Sequence, residues 1–491
     1  MISFLIPEKD LPYNPNNLES VLSYAKKLEG KTLRQATQGN LNSSKKNKGG
    51  AGQLTEVLYF FMENNNIAGP DFPSIEVELK TAGLKPISKN VKKKYQSSKW
   101  MAKERLPLSE INYINIVNES FYESSFMNKN KNILLILHKY EKINPLDLEI
   151  KLTGLFSYEN LTNIDRKIIR DDWELMKEKT LDGKAHEFSG GDFNYLELAT
   201  SGTSSQFKEQ PFSEIKARTR KYSYKASFMH SVIADLSSKK IEKASLFSDK
   251  DNNLNLSQKI YEKFKPYIGM KDKDIAISLG ISEQECKQKH SILSKNILKA
   301  IFGVPKNMNV EEYIDEFSKA DVTVKTVKLN EHNMPDQNVS FPAFKYEEIY
   351  REKWDSSLIK EQIDCKFLFV FFKEIGNECF LDSISYWNMP IEDLEEVKKV
   401  WKKTKECIKT GKIVKEIKKI KNGVIRLNHF PKKTESRIAH IRPHGTNKQE
   451  TYELPVPDIL TKATSYTKQC IWLNNNYIRD DIYLKKIEND I

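Results

Sequence analysis

A chain of 491 residues is too long for one ordinary hydrophobic core, and two domains of about 200–250 residues suit it better. Hydrophobic residues at 39% and aromatics at 10% are enough to build real cores, which excludes wholesale disorder, and a net charge of +12 favours a polyanionic partner. The five cysteines (Cys286, Cys365, Cys379, Cys407, Cys470) contain no C-x-x-C pair, so neither a disulfide framework nor a zinc site is expected and a reducing cytoplasm is the simplest home. The longest apolar runs, Ile133–Leu137 and Phe367–Phe372, have strand length and fall far short of a membrane span, and residues 1–30 show no secretion signal.

In chain order, the first basic cluster is Lys45, Lys46 and Lys48, just before the Gly49-Gly50 loop. Gln53–Tyr59 follows with its apolar residues at helical spacing. Next comes the segment from Gly69 to Lys80, in which Pro70 and Pro73 break the backbone around Asp71 and a short strand pattern follows. Period-two alternation puts Glu76, Glu78 and Lys80 on one face and Val77 and Leu79 on the other. Two carboxylates and an ammonium on one face, with Asp71 at the strand's mouth, can hold a divalent cation and a water beside a phosphate. That is the D-x6-E-x-K layout of a Mg²⁺-dependent nuclease; the bland alternative is an exposed edge strand with solvated charges. Lys85, Lys89, Lys92, Lys93, Lys94, Lys99, Lys103 and Arg105 follow directly, as phosphate binding at such a site requires. A third basic cluster (Lys216, Arg218, Arg220, Lys221, Lys225) is interleaved with Tyr222, Tyr224 and Phe228. His186 lies in a polar stretch and reads as structural or superficial.

Four blocks recur in the same order in the second half of the chain. Gln53–Tyr59 corresponds to Asn296–Phe302, and Val77–Thr81 to Val322–Thr326. Leu106-Pro107 with the run to Ser125 corresponds to Phe341-Pro342 with the run to Ser357, and the strand starting at Lys131 to that starting at Lys366. The pattern predicts a duplicated domain, 1–236 and 258–491, joined by a polar linker at 237–257. Glu56 becomes Lys299 and Glu78 becomes Thr323, while Lys80 persists as Lys325. A metal site that exchanges a carboxylate for a hydroxyl and gains an ammonium should not hold Mg²⁺, so the first copy is expected to be catalytic and the second to bind. Lys271–Lys299, with its Leu279-Gly280 turn, also resembles a helix-turn-helix DNA reader, and a non-catalytic regulator is the rival reading from another class.

The combination G-Q-L-T-E at Gly52–Glu56, D-x6-E-L-K at Asp71–Lys80 and H-I-R-P-H at His440–His444 resembles the MutH family of DNA endonucleases. Two copies, together with L-P-L-S-E-I-N-Y from Leu106 and S-S-F from Ser124, look closer to that family's restriction endonucleases than to its single-copy mismatch-repair nickases. The resemblance implies a restriction-endonuclease-like α/β fold, a mixed sheet flanked by helices, and Mg²⁺-dependent double-strand cleavage at GATC. It also implies a C-terminal MutH-like domain without activity that binds a second DNA site as an effector, and a DNA-induced dimer is compatible with it. Asp71 and Glu78 match the family's metal carboxylates, with the Leu79 carbonyl as a backbone ligand, and Glu56 would bind a second metal or orient a water. Lys80 would contact the attacking water and the scissile phosphate, and Lys103 would make a further phosphate contact. Base and backbone contacts would come from Ser201 or Thr203, from Arg218, Arg220, Tyr222 and Lys225, and in the second copy from Arg442 and His444. The first copy departs from the family's R-P-K recognition motif, since Tyr195–Gly202 reads Y-L-E-L-A-T-S-G, whereas Arg442-Pro443-His444 suits guanine or phosphate.

Overall fold

The computed structural model describes residues 4–37, 50–63, 69–87, 99–200, 206–237, 243–248, 253–420, 423–445, 447 and 449–485. They form two compact units: Met1–Lys259 with Glu311–Asp321, and Ile260–Val310 with Val322–Ile491. In the stretch read as linker, Leu246 and Phe247 are buried, and the Glu316 carboxylate accepts from the Ser245 hydroxyl (2.5 Å) and the Leu246 amide (3.0 Å). That part of the stretch is built into the first unit.

The first unit is organised by a four-stranded mixed sheet of β1 (Glu78–Pro86), β2 (Trp100–Ala102), β4 (Asn132–Lys139) and β5 (Ile150–Ser157), in the order β2-β1-β4-β5. β1 and β4 run parallel, with Glu78 opposite Ile133 and Lys80 opposite Leu135. A parallel pair needs a long crossover, and the 45 residues between β1 and β4 provide it, including β3 (Leu106–Glu110) and the helix Ser125–Asn130. Ile133–Leu137 are all buried, as expected of a central strand covered on both faces. Leu79, Leu134 and Ile136 pack with Val21, Ala25 and Leu28 of the N-terminal helical region into one core. A second sheet, β3-β9-β6, joins β6 (Leu196–Thr200) and β9 (Arg220–Tyr224) to β3, beside a hairpin of β7 (Phe207–Gln210) and β8 (Ser213–Arg218). The amphipathic helix Asn163–Leu181 buries Ile168, Ile169, Trp173 and Met176.

The second unit has a similar order of elements, without a described counterpart of β2 and with one hairpin more. β10 (Thr323–Leu329) runs parallel to β12 (Phe367–Ile375), which is antiparallel to β13 (Glu378–Trp387). A 19-residue helix, Ile391–Lys409, then precedes an antiparallel sheet of β11 (Val339–Ser340), β19 (Gln469–Leu473) and β16 (Ala439–Pro443). β14 (Val414–Ile420) with β15 (Gly423–Asn428), and β17 (Thr451–Glu453) with β18 (Ser465–Thr467), form hairpins. Phe367 to Phe372 are fully buried, and Phe367, Phe369 and Phe371 anchor a core with Trp401 and Ile471. A left-handed residue stands two positions before each leading strand: Glu76 (φ 53°) before β1 and Asp321 (φ 55°) before β10.

Glu76 departs from the strand reading. β1 starts at Glu78, and Glu76 is the exposed, left-handed cap of the 3-10 turn Pro73–Ile75. Its side chain therefore does not share the face of Glu78 and Lys80. The turn is closed by paired bonds, Phe72 N–H to Val77 O (2.8 Å) and Val77 N–H to Phe72 O (3.2 Å), which override the alternation.

Candidate active site

The same turn explains the six-residue spacing between Asp71 and Glu78. It folds the chain back so that an Asp71 carboxylate oxygen accepts the Leu79 N–H at 2.8 Å. In an extended strand the N–H and C=O of one residue point to the same side, so the Leu79 carbonyl also faces the Asp71 edge, away from β4. Glu78 and Lys80 share the other β1 face, and Lys80 Nζ lies 2.5 Å from Glu78 Oε1. The Glu78 side chain is only 2% exposed, and its second oxygen, Oε2, is buried without a hydrogen-bond partner.

Two further groups complete the cluster. Glu56 lies on a π-helical turn, Thr55–Tyr59, that continues the short helix Ala51–Leu54; such turns interrupt helices preferentially at functional sites. Lys129, on the helix Ser125–Asn130, places Nζ 3.7 Å from Glu78 Oε1. Burial, reinforced by the Asp71 charge and opposed by Lys80, pushes the Glu78 carboxyl up to about 7. Glu56 is also raised, by burial and then by Asp71, against the pull of Lys80 and Lys129. Three carboxylates thus converge with two ammoniums, and desolvation exceeds what the ammoniums offset. A divalent cation would remove that imbalance and give Glu78 Oε2 a partner. The all-oxygen donor set of Asp71, Glu78, Glu56 and a backbone carbonyl fits a hard ion such as Mg²⁺.

Lys129 escaped the sequence reading. Its signal was Ser124, whose hydroxyl accepts the Met127 N–H at 3.1 Å and caps a helix just before β4. A capped helix abutting the central strand carries its last turn to the end of β1, where Glu78 sits.

The basic cluster at 216–225 needs correction. Arg220 is 7% exposed and donates to the Phe188 carbonyl at 3.0 Å, while Lys225 is 6% exposed and donates to the Phe193 carbonyl at 2.7 Å. Tyr222 is buried edge-on against Phe126. Strand alternation and the start of the next helix turn these three inward, where they brace the core instead of lining an exposed basic face. Arg218 is half-buried at the end of β8. Lys103 lies over the Tyr140 ring, 3.9 Å from its centroid, and Arg105 pairs with Glu197 at 3.2 Å. His186 meets the Gln210 amide at 3.0 Å, a structural contact. Ser201 and Thr203 lie outside the described residues, as do Lys45, Lys46, Lys48, Lys89 and Lys92–Lys94.

At the positions that the sequence repeat pairs with Glu78, Lys80 and Glu56, the second unit carries other groups with other contacts. Thr323 meets the Cys365 sulfur at 3.8 Å; Lys325 donates to the Ser340 carbonyl at 3.2 Å and lies over the Phe341 ring. Lys299 donates to the Lys306 carbonyl at 2.7 Å. Aligned on their caps, Ser124 and Ser357, the two helices before the central strands put Gln362 where Lys129 stands. Arg442 and His444 are exposed and gather around Trp472: the guanidinium lies 5.5 Å from its ring centroid and the imidazole ring 5.9 Å away. In the same motif His440 is buried and held by Asn474 at 2.6 Å.

A mixed sheet presenting an acidic cluster with lysines at one strand end is the arrangement of a metal-assisted phosphodiester hydrolase. Residues 60–172, which hold Asp71, Glu78, Lys80 and Lys129, match the family of the DNA mismatch repair enzyme MutH. The chain is also 31% identical over 492 aligned positions to the type II restriction enzyme Sau3AI of Staphylococcus aureus, covering 94% of this chain and 98% of that protein. It belongs to the family of Sau3AI-type restriction endonucleases, enzymes that act on double-stranded DNA. This sets aside the non-catalytic regulator. The segment behind that reading forms the helices Asp272–Ser278, Glu283–Cys286 and His290–Ile301, with Gly280 left-handed (φ 73°) at the turn.

Proposed function

We propose that this restriction endonuclease makes Mg²⁺-dependent double-strand breaks at GATC, cutting with its first unit and binding a second copy of the site with its second. The observation that carries the catalytic half is the convergence of Glu56, Asp71, Glu78, Lys80 and Lys129. Asp71, Glu78 and the Leu79 carbonyl would hold Mg²⁺, with Glu56 binding a second ion or orienting a water. When bound, the ion supplies phosphate charge neutralisation and a more acidic water.

The protein's own groups do the rest. Lys80, fixed at 2.5 Å from Glu78, contacts the attacking water and the scissile phosphate, favouring hydroxide and offsetting charge as it develops. Lys129 adds a second positive charge on the same side. Asp71 is oriented by the Leu79 amide, so its geometry is preset before DNA arrives. Lys103 is the proposed flanking phosphate contact.

The binding half rests on the matching order of elements in the two units, which we read as a duplication, and on replacement of Glu56, Glu78 and Lys129 by Lys299, Thr323 and Gln362. Arg442 and His444, exposed around Trp472, would contact guanine or phosphate of the second site. Linking two DNA-binding domains raises the local concentration of the second site. Plasmids with two GATC sites should therefore be cut faster than plasmids with one, short GATC duplexes should stimulate the single-site plasmid, and Arg442→Ala should blunt that stimulation more than basal cutting. Equal rates on one-site and two-site plasmids across enzyme concentrations would remove the effector role. Mapping the cut ends on a plasmid of known sequence tests GATC itself.

A further inference from the structure

We propose a Zn²⁺ site in the second unit, formed by Cys379 and His290 with Asp272 as the carboxylate that orients the histidine. Cysteine spacing gave no hint of it, because its members lie on three elements far apart in sequence. Asp272 opens the helix Asp272–Ser278, His290 opens His290–Ile301, and Cys379 lies on β13.

The backbone brings them together. Gly269 N–H donates to Leu381 O (2.7 Å) and Leu381 N–H to Met270 O (2.9 Å), so the chain entering the first helix runs along β13 and delivers Asp272 beside Cys379. Asp272 Oδ2 lies 3.0 Å from His290 Nδ1, and His290 Nε2 lies 4.0 Å from Cys379 Sγ. The ligand atoms of the three residues lie within 4.8 Å of one another. Asp272 and Cys379 are buried, and His290 is held edge-on against Phe372 at 5.0 Å.

Two features separate this array from an ordinary buried hydrogen bond. First, an ionised Asp272 accepts only, so it draws the imidazole proton to Nδ1 and leaves the Nε2 lone pair facing the sulfur; that is the tautomer a metal needs, in the carboxylate–histidine–metal arrangement. The other Asp272 oxygen takes the Lys273 N–H at 2.7 Å, which fixes the carboxylate in turn. Second, Zn–N of about 2.0–2.1 Å and Zn–S of about 2.3 Å at a tetrahedral angle put nitrogen and sulfur roughly 3.5 Å apart, so the observed gap has to close by only about 0.5 Å. On binding, the thiol proton leaves to solvent, the thiolate and imidazole bind the ion, and water fills the remaining positions. Sulfur with imidazole selects Zn²⁺ over the Mg²⁺ suited to the all-oxygen cluster of the first unit. The ion would pin both helices to β13, a structural clamp independent of the nuclease reading.

The test uses the full-length chain stripped of metal and titrated with Co²⁺ and then Zn²⁺. A sulfur-to-cobalt charge-transfer band in the near ultraviolet is expected with Co²⁺, bleached by Zn²⁺ and untouched by Mg²⁺; the carboxylate cluster at Glu78 cannot produce it. Cys379→Ser should abolish the band and His290→Ala should abolish or severely weaken it. Asp272→Asn should keep the band while affinity falls about 10–100-fold, the usual effect of losing an orienting partner. Zn²⁺ should raise the wild-type melting temperature and leave Cys379→Ser unmoved. No band in the wild-type protein, or a band that survives Cys379→Ser, overturns the proposal whatever the variants do to folding.

Discussion

The two units resemble each other in the order of their elements and differ in what stands at the head of the leading strand. In the first, β1 opens with Glu78, followed two residues later by Lys80, and a six-residue turn returns Asp71 to the same point. In the second, β10 opens with Thr323, the lysine two residues on is turned to the Ser340 carbonyl and the Phe341 ring, and the helix before β12 carries Gln362 in place of Lys129. The parallel strand pair, a left-handed residue two positions before it and the long following helix are found at both leading strands. Core packing therefore tolerates losing the charges, whereas a cation site does not. Taking a carboxylate out of water costs several kcal/mol, which the Lys80 and Lys129 ammoniums offset only in part, so the burial of Glu78 points to function rather than to stability.

The sharpest way to break the comparison is to empty the first site. Glu78→Ala or Lys80→Ala should abolish cleavage while folding and DNA binding persist, as gel-shift and single-turnover assays would show; near-normal Mg²⁺-dependent cutting by either variant would move the active site elsewhere. Lys129→Ala should have a smaller effect, a loss of about 10²-fold in single-turnover rate, comparable to removing one preorganised electrostatic contact. Gln362→Ala, its counterpart, should change nothing in that rate, and parity between the two variants would undo the distinction drawn here.

How much of this was readable in the sequence depends on the distance over which each feature is set. D-x6-E-x-K was legible because the tight turn and the strand are local. The apolar runs Ile133–Leu137 and Phe367–Phe372 became central strands because length and continuity suffice to mark them. Glu76 was misplaced because period two was extended one step too far, into a turn whose closure depends on Phe72 and Val77. Arg220 and Lys225 looked like a DNA-facing patch, yet the carbonyls that capture them lie 32 residues away in sequence. Lys129 and the Asp272–His290–Cys379 array went unseen for the same reason: each depends on a crossover that brings remote elements together.

The burial of Glu78 predicts a pH effect of definite sign in metal-free protein. Its folded-state pKa of about 7 lies above the ordinary value of 4.5, so the folded state holds this proton more tightly than the unfolded chain. The resulting penalty is absent below pH 4.5, grows as pH rises through the interval, and is complete above 7, at an upper bound of ~3 kcal/mol. Glu78→Gln should therefore gain on the wild type in denaturant-unfolding free energy between pH 5 and about 8, and Mg²⁺ should cancel the gain by stabilising only the wild type. An advantage that shrinks with rising pH would reverse the sign and contradict the assignment. The smallest expected effect belongs to the second unit: Thr323→Ala and Lys325→Ala should leave single-turnover cleavage nearly unchanged. Loss of cutting with DNA binding intact would make that unit catalytic.

The claim that the Mg²⁺-dependent site belongs to the first unit alone is tested most directly by locating the ion. Fe²⁺ loaded in place of Mg²⁺, with ascorbate and peroxide, generates radicals that cut the nearby polypeptide, and sequencing the fragments identifies the spot. Scission is expected around Asp71–Lys80 and Ser125–Asn130, and excess Mg²⁺ should suppress it. Mg²⁺-suppressible scission around Thr323–Lys325 would contradict it.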